Sequence, residues 1–277
     1  MDFICIGHAC HDTAPSGYIP GGAVTYAGLF AKRLQLDTGI LTSFGADYLF
    51  KKLFHGIHLH TIPSSQTTLF QNKYIEGKRE QHLLARADNI QITDLPDEWK
   101  KAKMVLIGPI ANEVDFDFLD AFQDAIVCIN LQGWMRRWDA AGKVFYKSFD
   151  NYKLLAKADI TIISEEDVGM DYRIISDMAA VLKILVVTKG DQGCDIYFKN
   201  KKNDFPAFPT EVIDSTGAGD TFSTAFLVYY YKTGDLNKAA QYANVAASFC
   251  IEALGIEGLP NREQMEERYK EYIIKNS

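Results

Sequence analysis

The stretch Asp214-Ser215-Thr216-Gly217-Ala218-Gly219-Asp220 restricts the fold more than any other part of the chain. Before it, Pro209 to Ile213 alternates in the manner of a short strand. After it, Phe222, Ala225, Phe226 and Tyr229 recur at helical spacing, and Gly234 supplies a stop. These residues are therefore expected to turn a strand into a helix running from Asp220 to Thr233. Gly217 and Gly219 open backbone angles closed to other residues and let a ligand approach the main chain. The free N–H groups of the first helical turn, reinforced by the helix dipole, then form a seat for an anion.

Asp220 falls on that same first turn. A carboxylate beside an anion seat is a poor choice if the seat only holds phosphate, because the charges repel. A lone aspartate there could simply complement the helix dipole. Set behind Asp214-Ser215-Thr216 and Gly217-Ala218-Gly219, it suits chemistry better. Asp220 would take the proton from a hydroxyl that attacks phosphorus, while the main chain of Gly217, Ala218 and Gly219 holds the charge of the group in transit.

The 277 residues, 47% of them hydrophobic, are enough for one large α/β domain or two small ones with a sizeable core. A net charge of −7 with no long basic run argues against nucleic acid as a partner. No signal peptide is recognisable and no apolar stretch approaches the roughly 18 residues of a membrane span. The five scattered cysteines fit a reducing cytoplasm. Two groups, Cys5/His8/Cys10/His11 and His55/His58/His60, sit near metal-ligand spacing. The first begins in a strand, where alternate residues point to opposite faces; the second lacks a carboxylate or cysteine.

Phe3 to Gly7 reads as a buried strand, and His8 to Pro20 as a polar loop carrying Asp12. Gly21-Gly22 opens a helix, and Thr38 to Thr42 is a strand. Thr67–Ile75 and Arg79–Ala87 read as a hairpin joined by Glu76-Gly77-Lys78 and standing off the main body. From Met104 strands and helices alternate. Strands are expected at Met104–Gly108, Ala125–Asn130, Asp159–Ile163, Ile184–Thr188 and Cys194–Phe198. Helices are expected at Asp115–Asp124, Tyr152–Lys157, Asp171–Leu182, Leu236–Leu254 and Arg262–Lys275. That order implies an α/β fold with a mostly parallel sheet, whose ligands bind beyond the carboxyl ends of the strands.

The heptapeptide resembles the second signature of the ribokinase-like (PfkB-type) carbohydrate kinases, usually Asp-Thr-x-Gly-Ala-Gly-Asp, with Ser215 in place of a common Thr. The resemblance extends over nearly the whole chain. It implies a single ribokinase-like domain over 1–277: a mostly parallel central sheet with helices on both faces, and a small β lid formed mainly by residues 8–20 and 60–90. It implies a transferase, an ATP-dependent and Mg²⁺-requiring carbohydrate kinase with Asp220 as general base.

Further residues carry over one by one. Asp12 would accept hydrogen bonds from substrate hydroxyls, beside Gly21 and Gly22. The residues after Gly22, Ala23 to Ala27, depart from the Asn- or Lys-bearing pattern of sugar kinases. Ser164 and Asp167 fall where the family has Asn-x-x-Glu, implying a nucleotide contact for Ser164 and a water-mediated magnesium contact for Asp167. A helix N-cap with an acidic first turn competes with that reading, and the two can hold together. Thr188-Lys189-Gly190-Asp191-Gln192-Gly193 resembles the nucleotide loop, so that Thr188, Lys189, Gly190 and Gly193 would line the nucleotide; an exposed loop lysine accounts equally well for Lys189. Asn244 matches the helix beside the adenine, although close helix packing also explains it. Asp214 marks a region where some relatives bind a monovalent cation such as K⁺.

Asn130-x-Gln132-Gly133-x-x-Arg136 looks like the Asp-x-Gln-Gly-x-x-Arg run of the inositol-kinase-like branch. His8-x-x-His11-Asp12 and Thr67-Thr68-x-Phe70 look like that branch too. Gln132 and Arg136 would then meet the acceptor or the transferring phosphoryl group; Asn130 replaces a carboxylate. The acceptor is a sugar, a polyol such as inositol, or a nucleoside. Alternatives are a nucleoside kinase of the same fold and a nucleotide- or sugar-binding protein that has lost turnover. A dinucleotide oxidoreductase would need a third glycine where Phe222 stands, and no Walker-type run occurs. An exposed lid edge could pair with a second copy to form a homodimer.

Overall fold

The structure, a computed structural model, describes residues 1–15, 17–75 and 78–275. The chain opens with β1 (Phe3–Ile6), β2 (Cys10–Ala14), β3 (Gly17–Gly21) and α1 (Ala23–Arg33). It continues through β4 (Thr38–Phe44), β5 (His58–Pro63), β6 (Thr68–Ile75), β7 (Lys78–Ala85), β8 (Met104–Ile107) and β9 (Ile126–Asn130). A hairpin of β10 (Arg136–Trp138) and β11 (Val144–Tyr146) leads to α2 (Tyr152–Leu155), β12 (Ile160–Ser164), α3 (Tyr172–Ala179) and β13 (Ile184–Thr188). The chain closes with β14 (Cys194–Phe198), β15 (Lys201–Phe205), α4 (Ala218–Thr233), α5 (Leu236–Cys250) and α6 (Arg262–Lys275).

Among the described residues the main sheet has nine strands in the order β15-β14-β13-β12-β9-β8-β1-β4-β5. All neighbours from β13 to β5 run parallel; β14 and β15 are antiparallel additions. The apolar runs predicted as strands lie there because a parallel sheet covered on both faces buries every residue. In β1, Phe3 and Cys5 face one apolar layer with α1, α4, α5 and α6, while Ile4 and Ile6 face the other, with Trp99, Phe118 and Met178. That alternation is the strand's two-residue period at work. The side chains of Cys5, His8 and Cys10 go to different partners: the Val24 carbonyl, Thr68 with the Asp88 carbonyl, and the apolar cluster under the small sheet.

β3, β2, β6 and β7 form a separate four-stranded sheet. A small apolar cluster of Cys10, Ala23, Phe70, Leu83, Ile110 and Ala111 seats it on the body. The β10–β11 hairpin clips its far side, where the Leu83 N–H donates to the Gly142 carbonyl at 2.8 Å. Residues 8–20, read from the sequence as a loop, are therefore largely strand. Cys10 to Asp12 pair with Thr68 to Phe70, and this partner lies beyond the reach of local pattern. Residues 60–63 belong to the main sheet through β5, and the small sheet ends at Ala85, so it is narrower than the expected 60–90 span. Of the predicted hairpin turn, Glu76 and Gly77 lie outside the described residues.

Other boundaries moved for identifiable reasons. Pro209 to Ile213 is not a strand. Pro206 and Pro209 offer no N–H to a ladder, Phe208 turns into the core, and the N–H groups of Ile213 and Asp214 both donate to the Ile251 carbonyl. That capture also ends α5 at Cys250 rather than Leu254. Asp115–Asp124 shrinks to a 3-10 turn, Phe116–Asp120, whose aromatic and acidic residues are weak helix formers. Among the described residues, no helix is long and apolar enough to cross a membrane. All five cysteines are free and buried.

Candidate active site

The heptapeptide turns a loop, not a strand, into α4. Gly217 caps the helix with φ 77°, in the left-handed region. A Cβ at Gly217 would come within 2.1 Å of the Tyr26 ring, so only glycine fits both the angle and the space. The Ala218 N–H is directed at the Ser215 carbonyl at 3.3 Å, whereas Gly219 has open space beside its Cα. Asp214 secures the turn from the other side: Oδ1 accepts from the Thr216 N–H (2.9 Å) and Oδ2 from the Gly255 N–H (3.0 Å).

Asp220 occupies the first turn of α4, below the carboxyl end of β9. Its Oδ1 accepts from Asn130 Nδ2 at 3.2 Å. Burial pushes its carboxyl up to about 6; the Asn130 hydrogen bond and the Arg136 charge pull the other way, and Asp12 adds to the rise. The opposing wall comes from the small sheet, where β2 carries buried Asp12. A Cβ on Gly21 would lie 2.2 Å from Asp12 Oδ2, so the glycine makes room for the carboxylate. Gly22 caps α1 alongside.

Arg136 is held on three sides. Its Nη1 donates to the Ile110 carbonyl (2.9 Å), its Nη2 to Gln132 Oε1 (2.6 Å), and the guanidinium lies 5.7 Å over the Phe70 ring. Gln132 passes the contact on, donating from Nε2 to Asp167 Oδ1 at 2.9 Å. Asp167 Oδ2 accepts the Ser164 N–H (2.9 Å), and Ser164 Oγ accepts the Glu166 N–H (3.2 Å). The acidic N-cap expected for this segment is thus present, and the same aspartate is linked through Gln132 to Arg136. Each Asp167 oxygen takes one donor and keeps one acceptor site, so the carboxylate can still meet a magnesium ion or one of its waters. Among the described residues no cluster of His, Cys, Asp and Glu could hold a metal ion by itself.

Thr188 lies beside Ser164 in the sheet and donates from Oγ1 to the Ile163 carbonyl at 3.3 Å. Gly190 opens a short turn, and Gly193 packs against the carbonyl of Phe205. Lys189 does not reach outward: its ammonium pairs with buried Asp195 at 2.6 Å, which also takes Lys202 at 2.8 Å. Asn244 donates to the carbonyls of Phe205 (3.2 Å) and Pro206 (2.9 Å), tying the proline loop to α5. Tyr272 donates to the same Pro206 carbonyl at 2.7 Å.

Two residues were missed as participants. Asn130 was noted only for the carboxylate it replaces; its position at a strand end was the available signal. Glu113 gave no signal in the sequence. It is buried, and its carboxylate accepts N–H bonds from His8, Ile110 and Ala111 (2.6–3.0 Å), pinning the ends of β1 and β8 beneath the site.

Residues 152–262 match the family model described as pfkB family carbohydrate kinase. An inositol 3-kinase of Arabidopsis thaliana is 24% identical over 271 residues, 91% of this chain and 74% of its own length. A nucleoside kinase of Methanocaldococcus jannaschii is 39% identical over 102 residues, 36% of this chain and 34% of its own length. The latter match spans only about a third of that relative. Among solved structures, a pyrophosphate-dependent kinase in the ribokinase family, complexed with a pyrophosphate analog and myo-inositol, superposes with a TM-score of 0.80. It is 22% identical over 96% of this chain and 99% of that one. The parallel sheet with its antiparallel margin and the separate small sheet thus form a ribokinase-like fold. Within that fold, residues 152–262 are similar to the pfkB family carbohydrate kinases.

Proposed function

We propose that the protein is an ATP-dependent kinase that transfers the γ-phosphoryl group to a hydroxyl of a small sugar or polyol, with an inositol-like acceptor favoured. The observation that carries this is the placement of Asp220, with its raised pKa, between the α4 turn and the Asp12–Arg136 wall. Asp12 accepts hydroxyl donors of the acceptor, and Gln132 and Arg136 face the same space. Asp220 takes the proton of the attacking hydroxyl, a role typically contributing roughly 10²–10⁴ in rate. The main chain at Gly217–Gly219 steadies the phosphoryl oxygens as charge moves across them. The small sheet covers the acceptor and excludes water that would compete with it. Magnesium, when bound through Asp167 and its waters, neutralises phosphate charge. A monovalent cation such as K⁺ is proposed beside Asp214 and the turn at Gly255, and a second copy at the outer margin strand β3.

A second donor, pyrophosphate, is favoured by one specific observation. Lys189 and Asn244, the residues matched to nucleotide contacts, are spent on Asp195 and on the Phe205 and Pro206 carbonyls. The fold neighbour named above is pyrophosphate-dependent. The test is to incubate the purified protein and Mg²⁺ with ATP or pyrophosphate and a panel of polyols, sugars and nucleosides, and to weigh the products by mass spectrometry. A phosphorylated polyol is expected; a panel without any phosphorylated product overturns the proposal.

A further inference from the structure

The amide at the end of β9 has no task in the reaction as written. Asn130 Nδ2 donates to Asp220 Oδ1 at 3.2 Å, across 90 residues of sequence. The other end of the amide, Asn130 Oδ1, is buried and has no hydrogen-bond partner among the described residues. An orphaned buried oxygen is unfavourable. Two residues of similar size could stand there instead. Leucine would remove the polar atoms altogether but leave Asp220 Oδ1 without a donor. Aspartate would set two carboxylates about 3 Å apart, and such a pair cannot stay doubly ionised. Only the amide supplies a neutral donor to the carboxylate.

We propose that Asn130 is a positioning residue: it grips Oδ1 of Asp220 and so presents Oδ2, ionised, to the acceptor hydroxyl. The chemistry rests on the kinase proposal, whereas the grip itself does not. The other charged groups facing Asp220 are Asp12 from β2 and Arg136 from β10; the thiols of Cys5, Cys10 and Cys250 approach from β1, β2 and α5. Asp12 and Arg136 act in opposite senses, which leaves Asn130 as the neutral contact that selects one oxygen.

Two measurements test this. Kinetics against pH compare wild type with Asn130→Leu and Asn130→Asp. Asn130→Leu is expected to lower kcat about tenfold or more with little change in acceptor KM, and to raise the acid limb of kcat/KM by about one pH unit. Asn130→Asp is expected to raise that limb further, because the pair then shares a proton. A wild-type acid limb and kcat in Asn130→Leu overturn the proposal. Should the variants not fold, NMR on the wild type reads the contact directly. The Asn130 side-chain amide protons are expected to shift with the same midpoint as the Asp220 carboxyl carbon, and to stop shifting in Asp220→Asn. Turnover without that coupling overturns the proposal alone. Coupling in a protein that phosphorylates no acceptor overturns the kinase proposal, and with it the purpose assigned to Asn130.

Discussion

Asp220 is kept in a place where its charge is unwelcome. Its folded-state pKa of about 6 lies above the ordinary value of 3.8, so the folded protein binds the proton more tightly than the unfolded chain does. The associated stability is therefore fully present below about pH 3.8 and is lost as pH rises through about 6. Above that, the ionised carboxylate is a net burden on the fold. Asp220→Asn should abolish phosphoryl transfer and, at pH 7.5, raise the unfolding free energy by up to roughly 3 kcal/mol. Paired thermal melts and turnover assays check this; an unstabilised Asp220→Asn would contradict the burial argument, and retained turnover the assignment of the base. With Asp220 as the proposed base, the same value predicts that kcat/KM falls as pH drops below about 6, because a base must be ionised to act. Gly217→Ala tests the turn. Its methyl group would meet the Tyr26 ring in a left-handed backbone, so both activity and melting temperature should fall.

At the scale of elements, the strands of the main sheet were legible because each is a short apolar run buried on both faces. The sequence of β2 and β3 was not, since Cys10-His11-Asp12-Thr13-Ala14 has the polarity of a loop and becomes a strand only by pairing with β6. Likewise the heptapeptide announced α4, Gly217 and Asp220, but the contact with Asn130 joins residues no local pattern connects. Lys189 shows the converse: a loop lysine suggested an outward role, yet a buried carboxylate at Asp195 decides where its ammonium goes. Glu113 is the element-scale counterpart, a single carboxylate fastening the chain after β1 to the chain after β8. Glu113→Ala would leave three buried N–H groups without acceptors, at about 1–3 kcal/mol each. The expected outcome is a loss of at least about 3 kcal/mol in urea unfolding.

Over the whole molecule, the site exists only where two sheets meet: Asp220 and Asn130 from the main body, Asp12 and Phe70 from the small sheet, and Arg136 between them. The proposed role of Asp167 predicts that transfer requires Mg²⁺; full activity after chelation would contradict that role. One property of this arrangement has a practical use. Every thiol in the protein is shut away from water, and Cys10 sits on the strand that carries Asp12, at the seam between the two sheets. A thiol-directed reagent added to the intact protein can therefore react only as fast as the molecule parts. Labelling at Cys10, timed against Cys128 in the middle of the body, would clock how often the cleft gapes without the rest coming undone.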